Sequence, residues 1–142
     1  MLESKMNADQ KTELIHKELT EKIIGVFYDV YNELGHGFLE SVYHKAMVLA
    51  LRQAGLNAAS KVPISVYFRG QLVGVFEADI LVEDKVLLEL KAARELDTAH
   101  EAQTLNYLRA TPIEIALLMN FGPKPKFRRF AFSNDRKHQR EI

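Results

Sequence analysis

The 142-residue sequence has no cysteine. Without thiols there is no disulfide framework, no zinc–thiolate site and no thiol redox chemistry, and the composition fits a cytoplasmic protein. Net charge is also missing: 19 Lys and Arg stand against 19 Asp and Glu, which argues against a basic protein that coats nucleic acid wholesale. The first twenty residues contain no apolar run of signal-peptide length, and no later segment is long and apolar enough to span a bilayer. Neither export by that route nor a membrane partner is expected. Internal repeats and low-complexity linkers are absent as well, so the chain reads as one domain.

What is present is ordinary for a globular domain, with 47% hydrophobic and 27% charged residues and enough length to bury a core. Charge is unevenly placed. Between Lys124 and Arg140 there are seven basic residues, including Arg128 and Arg129, and one acid, Asp135. That run is either a solvated strand with a polar tail or a patch that contacts phosphate.

Residues 1–18 lack a clean apolar period and are expected to form a mobile or loosely attached extension. From Thr20, a plausible N-cap, Ile23, Ile24, Phe27, Val30, Tyr31 and Leu34 recur at helical spacing until Gly35. A second helix is predicted from Leu39 to Ala54, ending at Gly55, with Glu40 in its first turn, where the helix dipole favours a carboxylate. The period then switches to two. Lys61–Phe68 and Gln71–Val82 read as strands joined at Arg69-Gly70, and Pro63 suggests that the first lies at a sheet edge. Leu96–Ala110 reads as a helix capped by Asp97 or Thr98. Ile113–Phe121 reads as a strand covered on both faces, and Phe127–Ser133 as an exposed last strand. The order helix, helix, three strands, helix, two strands describes an α/β domain over residues 19–133, with a mixed sheet flanked by helices and a polar basic tail over 134–142. The third helix is expected to cross over between parallel strands.

The stretch from Glu77 to Lys91 carries the chemistry. It predicts a hairpin that reverses around Glu83, Asp84 and Lys85 and brings Asp79 opposite or nearly opposite Glu89. Like charges at a cross-strand pair are destabilising, so something positive should sit between them. A divalent cation is one candidate, and Lys91, on the same face as Glu89 by alternation, supplies further positive charge. Two carboxylates can hold a hard cation through oxygen, the cation can acidify a water, and a lysine can orient that water or neutralise charge on a phosphoryl group. The alternative is a salt-bridge network on a solvated face, which the apolar flanks argue against. On the third helix Gln103 and Tyr107 share a face and can hydrogen-bond phosphate oxygens, or else serve as packing and surface.

Gly37-Phe38-Leu39-Glu40-Ser41-Val42-Tyr43 matches the Gly-x-x-Glu-x-x-Tyr signature. With Asp79, Glu89-Leu90-Lys91 and Gln103-x-x-x-Tyr107 in that order, the chain from about Thr20 to Ser133 resembles the GxxExxY proteins of the PD-(D/E)xK nuclease superfamily. The Gln103/Tyr107 pair is similar to that of RecB-like nucleases. The resemblance implies a restriction-endonuclease-like core and a Mg²⁺- or Mn²⁺-dependent nuclease that hydrolyses phosphodiester bonds of nucleic acid, DNA first. It implies that Asp79, Glu89 and the carbonyl of Leu90 bind metal, that Lys91 is the catalytic lysine, and that Glu40 completes the metal and water shell. Gln103 and Tyr107 would position substrate or belong to the shell, and Arg128 and Arg129, from the basic run, are expected as further substrate contacts. Gly37 and Tyr43 belong to the signature in structural roles, the turn into the helix and packing. The sequence departs from the superfamily's name at Ala78, which stands where a proline would precede Asp79. Two rival readings are a nucleic-acid-binding or regulatory module that keeps this fold without turnover, and a subunit that pairs its strand edges in a homo-oligomer or larger assembly.

Overall fold

The first apolar stripe winds into helix α1 (Lys17–Leu34), with Ile23, Val26, Phe27 and Val30 buried along one side. The structure is a computed structural model and describes residue 7 and residues 14–137. Helix α1 begins three residues before the cap expected at Thr20, because Ile15 and Leu19 also pack on the core and draw a further turn into the helix. Thr20 is buried within that turn and its hydroxyl donates to the carbonyl of Lys17 at 2.9 Å. Of the expected N-terminal extension, Lys17 and Glu18 belong to α1, and residues 1–6 and 8–13 lie outside the described residues.

Helix α1 stops where the N–H of Gly35 donates to Tyr31, and Gly35 and Gly37 take φ of 69° and 107°, values that suit residues without a Cβ. Helix α2 (Glu40–Gln53) follows and buries Tyr43, Met47 and Leu51 at successive turns. Strands β1 (Ala58–Phe68), β2 (Gln71–Val82) and β3 (Val86–Lys91) come next. Helix α3 (Thr98–Ala110) is capped by Asp97, whose carboxylate accepts from the His100 N–H. Strands β4 (Ile115–Phe121) and β5 (Pro125–Ala131) complete the chain, before a short 3₁₀ turn at Asn134–Arg136. The last strand starts and ends two residues earlier than its alternation suggested. The first residues of the expected tail are docked: the Lys137 ammonium donates to the carbonyls of Thr111 and Ile113 at 2.8 and 2.7 Å.

The five strands lie in the order β1-β2-β3-β4-β5, antiparallel except for the parallel β3/β4 pair bridged by α3. Pro63 sits on the outer strand β1, which also carries a register shift between Val66 and Tyr67. Every residue of β4 is buried, as a strand covered on both faces requires. Helices α1 and α2 pack with Ile80, Val82, Leu88, Leu90, Leu117 and Met119 on one face of the sheet. Helix α3 packs through Tyr107 and Leu108 with Ala78, Leu87 and Ala116 on the other.

Phe121, at the end of β4, joins the first layer together. The ring of Tyr43 stacks on it at 4.3 Å and 14°, and Phe27 meets it edge-on at 4.9 Å. The hydroxyl of Tyr43, 0% exposed as a residue, donates to the Gly35 carbonyl at 2.6 Å and accepts from the Phe38 N–H at 3.3 Å. One side chain thus ties the α1–α2 turn to the sheet. Tyr43→Phe keeps the stack and orphans both main-chain groups, and is expected to cost about 1–2 kcal/mol in urea unfolding. An unchanged midpoint would show that water replaces the hydroxyl without loss.

Candidate active site

The site forms where a ladder ends. β2 and β3 pair at Val82–Val86, Leu81–Leu87 and Ile80–Leu88, and no further. Beyond that rung β2 stays with β1 out to Gln71, while β3 stays with β4 through Lys91–Asn120, so the two strands part like the tines of a fork. Asp79 and Glu89 stand at the crotch. There side chains replace the missing rungs: the Leu90 N–H donates to Oδ2 of Asp79 at 2.7 Å, and the Asp79 N–H donates to Oε1 of Glu89 at a long 3.4 Å. The expected opposition of the two acids is therefore met through side chain to main chain bonds rather than through a regular cross-strand pair.

Both acids are drawn out of water, Glu89 to 6% exposure and Asp79 to partial burial. Burial first, and the neighbouring Asp79 charge second, push the Glu89 carboxyl up to about 8. Lys91 opposes this upward shift by its charge. Among the described residues no Lys or Arg nitrogen forms an ion pair with either acid, and no set of three or more Asp, Glu or His residues is gathered tightly enough to hold a metal.

Alternation in β3 puts Leu87, Glu89 and Lys91 on the face that α3 covers. Tyr107 reaches this face from α3 and stacks on Phe76 of β2 at 3.6 Å and 8°, which anchors the parted tine to the helix. Burial raises the pKa of its hydroxyl, and the charges of Glu89 and Asp79 add to the effect, so Tyr107 lies within the field of the pair. Gln103 is exposed one turn earlier on α3.

Glu40 is the first residue of α2 and is exposed. The stack of Tyr43 on Phe121 sets its turn at the end of the sheet where β3 finishes, since β3 and β4 run parallel, but in the opposite helical layer. It is not gathered with Asp79 and Glu89. Arg128 and Arg129 also separate. Arg128 is exposed and pairs with Glu101 of α3, whereas Arg129 donates to the Ile15 carbonyl at 2.9 Å on the α1 side.

Sequence reasoning missed Asn120. It is 1% exposed, and it exchanges two 2.9 Å bonds with the main chain of Ala93, two residues after Lys91. Gly122 leaves room for this: a Cβ there would lie 2.5 Å from the Ala93 carbonyl oxygen. An amide inside the otherwise apolar run of β4 was the available signal, because a buried polar group in such a strand must have partners.

With this geometry the chain's relatives become meaningful. The family model for the PD-(D/E)XK nuclease superfamily matches residues 17–130, and the chain belongs to that superfamily. The matched region contains the fork, both acids and the whole sheet except the last residue of β5. A solved structure, titled "Crystal structure of SSO0001", is similar in fold, with a TM-score of 0.54 and 18% identity over 89% of this chain. The match covers 64% of that protein's chain. No curated protein matches the sequence. No helix among the described residues is long and apolar enough to cross a membrane.

The raised Glu89 carboxyl has a testable sign. Folding favours its protonated form, so the folded chain holds more protons than the unfolded one between the ordinary glutamate range and about 8. Without metal, stability should fall as pH rises through that window and level off above it. Glu89→Gln should flatten this slope and raise stability at pH 8 by at least about 1 kcal/mol. Thermal unfolding across pH in EDTA checks both, and a slope unchanged by the substitution would assign the titration elsewhere.

Proposed function

We propose that the protein is a Mg²⁺- or Mn²⁺-dependent phosphodiesterase acting on DNA, with its reaction centre in the fork. The observation that carries this reading is two carboxylates at the end of an interrupted ladder, with a lysine on the same strand face. The donor set suits a hard cation. Asp79 Oδ2 and Glu89 Oε1 are engaged with main-chain N–H groups, which orient both carboxylates and leave each a second oxygen. The Leu90 carbonyl offers another oxygen, because in an extended strand it points to the same edge as the N–H that Asp79 holds. Glu89, which burial and the neighbouring Asp79 hold toward its protonated form, ionises more readily beside a dication.

Once bound, such a cation supplies Lewis acidity, polarising a phosphoryl oxygen and lowering the pKa of a water. The protein's own groups do the rest. Asp79 and Glu89 hold their oxygens at fixed positions, and the ammonium of Lys91 neutralises charge that builds on the phosphorane or orients the attacking water. Tyr107 and Gln103 can donate hydrogen bonds to phosphate oxygens. Asn120 fixes the main chain just after Lys91 and so limits where the ammonium can point. Glu40, a third acid of the shell by its Gly37-x-x-Glu40-x-x-Tyr43 signature, is assigned a supporting role.

A second reading is favoured by the balance of charge and by the absence of a third gathered acid among the described residues. In it the domain binds nucleic acid without cutting it. Cleavage assays on single-stranded, duplex and branched DNA with Mg²⁺ or Mn²⁺ separate the two. Asp79→Asn and Lys91→Ala are each expected to reduce cleavage at least about a hundredfold with the unfolding midpoint nearly unchanged. Glu40→Gln should weaken cleavage by about tenfold rather than abolish it, since its carboxylate is not one of the pair. Intact substrate with the wild-type protein and either metal would decide for the binding module.

A further inference from the structure

One face of β5 carries a second constellation. Lys126 pairs with Asn120, Arg128 with Leu118 and Phe130 with Ala116, while the Phe132 N–H continues the ladder to the Glu114 carbonyl at 2.8 Å. These four alternate residues share the α3 face of the sheet, the face of Glu89 and Lys91. In register, Lys91, Asn120 and Lys126 form one row across three strands, which puts Lys126 about 10 Å from Lys91, two interstrand spacings. From there the stripe runs about 20 Å along the strand, at two residues per step.

The stripe runs from two cations to two rings, and guanidinium groups lie beside both rings. The Arg128 guanidinium lies 6.0 Å from the Phe130 ring centre, and Arg109 and Arg136 flank the Phe132 ring at 5.7 and 6.0 Å. Glu101 fixes Arg128 from α3, and Asn106 accepts from Arg109 at 3.2 Å. Lys126 and Arg128 help line a cleft of about 540 Å³ at this end of β5, together with Glu95, Glu101, Tyr28 and Phe127. β5 is the last strand of the sheet. Arg129 points to the opposite face and takes no part.

We propose that this stripe is a binding track for single-stranded nucleic acid leading to the fork, with phosphates on Lys126 and Arg128 and unstacked bases against the Arg109–Phe132–Arg136 group. The inference rests on the reading of the fork as a nucleic-acid site. Duplex suits the stripe poorly. Its bases are stacked inside the helix, so planar guanidinium and phenyl groups gain nothing from them, and four cations on a chain of zero net charge give little grip on phosphate alone. A single strand exposes π-faces that stack on such platforms without regard to sequence, which compensates for the modest charge.

The test uses fluorescence anisotropy in EDTA, where nothing is cut, with a labelled 15-nucleotide DNA strand and its blunt duplex. The single strand is expected to bind at least tenfold tighter. The double variant Arg109→Lys/Arg136→Lys keeps charge but removes the planes. It should weaken single-strand binding at least threefold while the slope of log affinity against log salt stays constant. Lys126→Ala should lower that slope by about 0.7, one phosphate contact on a single strand. Circular dichroism establishes that each variant is folded. Equal or tighter duplex binding, no binding of the strand, or indifference to the double variant would overturn the track. The outcome is separable from the fate of the nuclease reading: stripe-dependent binding without cleavage removes turnover alone, and cleavage of duplex that ignores the stripe removes the track alone.

Discussion

The end of the β2/β3 ladder at Ile80–Leu88 is the constraint on which the rest depends. Were pairing to continue, Asp79 and Glu89 would form an ordinary rung, and two buried like charges would face each other with no route to solvent or to a counter-ion. Parting the strands exchanges that rung for two bonds from side chain to main chain and opens a gap at the same place. The acids are thus both the reason the sheet splits and the groups that line the split. Glu89 records the residual tension, held toward its protonated form by burial and by its neighbour.

A split sheet needs anchors on each tine, and they are found in different layers. The β1/β2 tine is held to α3 by the Phe76–Tyr107 stack. The β3/β4 tine is held from the other side by Phe121, on which Tyr43 and Phe27 converge from α2 and α1. Past Lys91 the chain would be unsupported, and Asn120 supplies with its amide the two bonds that another strand would have given. All of these contacts lie within the region that the superfamily's model matches.

The elements were legible in the sequence because their apolar periods are long, and β4 was legible as a strand covered on both faces because its apolar run is nearly unbroken. Boundaries were less so. Thr20 looked like a cap, but the burial of Ile15 and Leu19 outweighed its local preference for a helix start. Asp79, Glu89 and Lys91 could be placed together by alternation and one turn, which are local quantities. The positions of Glu40 and Arg129 could not, since they depend on which layer a helix or a strand face joins, and that is decided by tertiary packing. Asn120 was visible as a polar residue in an apolar run, yet its partner lies 27 residues away and no local rule names it.

The outer strand β1 has a bearing on how the protein behaves in a crowded solution. The β1/β2 ribbon exposes Tyr67, Phe68, Leu72, Val73 and Val75 near its tip, a composition that in a flat sheet margin invites stacking of chains into fibres. Pro63 has no N–H to give, and the register shift at Val66/Tyr67 twists the margin just before the apolar tip. Both interrupt the run of main-chain groups that another strand would need to pair with this ribbon, so they work against the stacking that its apolar tip invites.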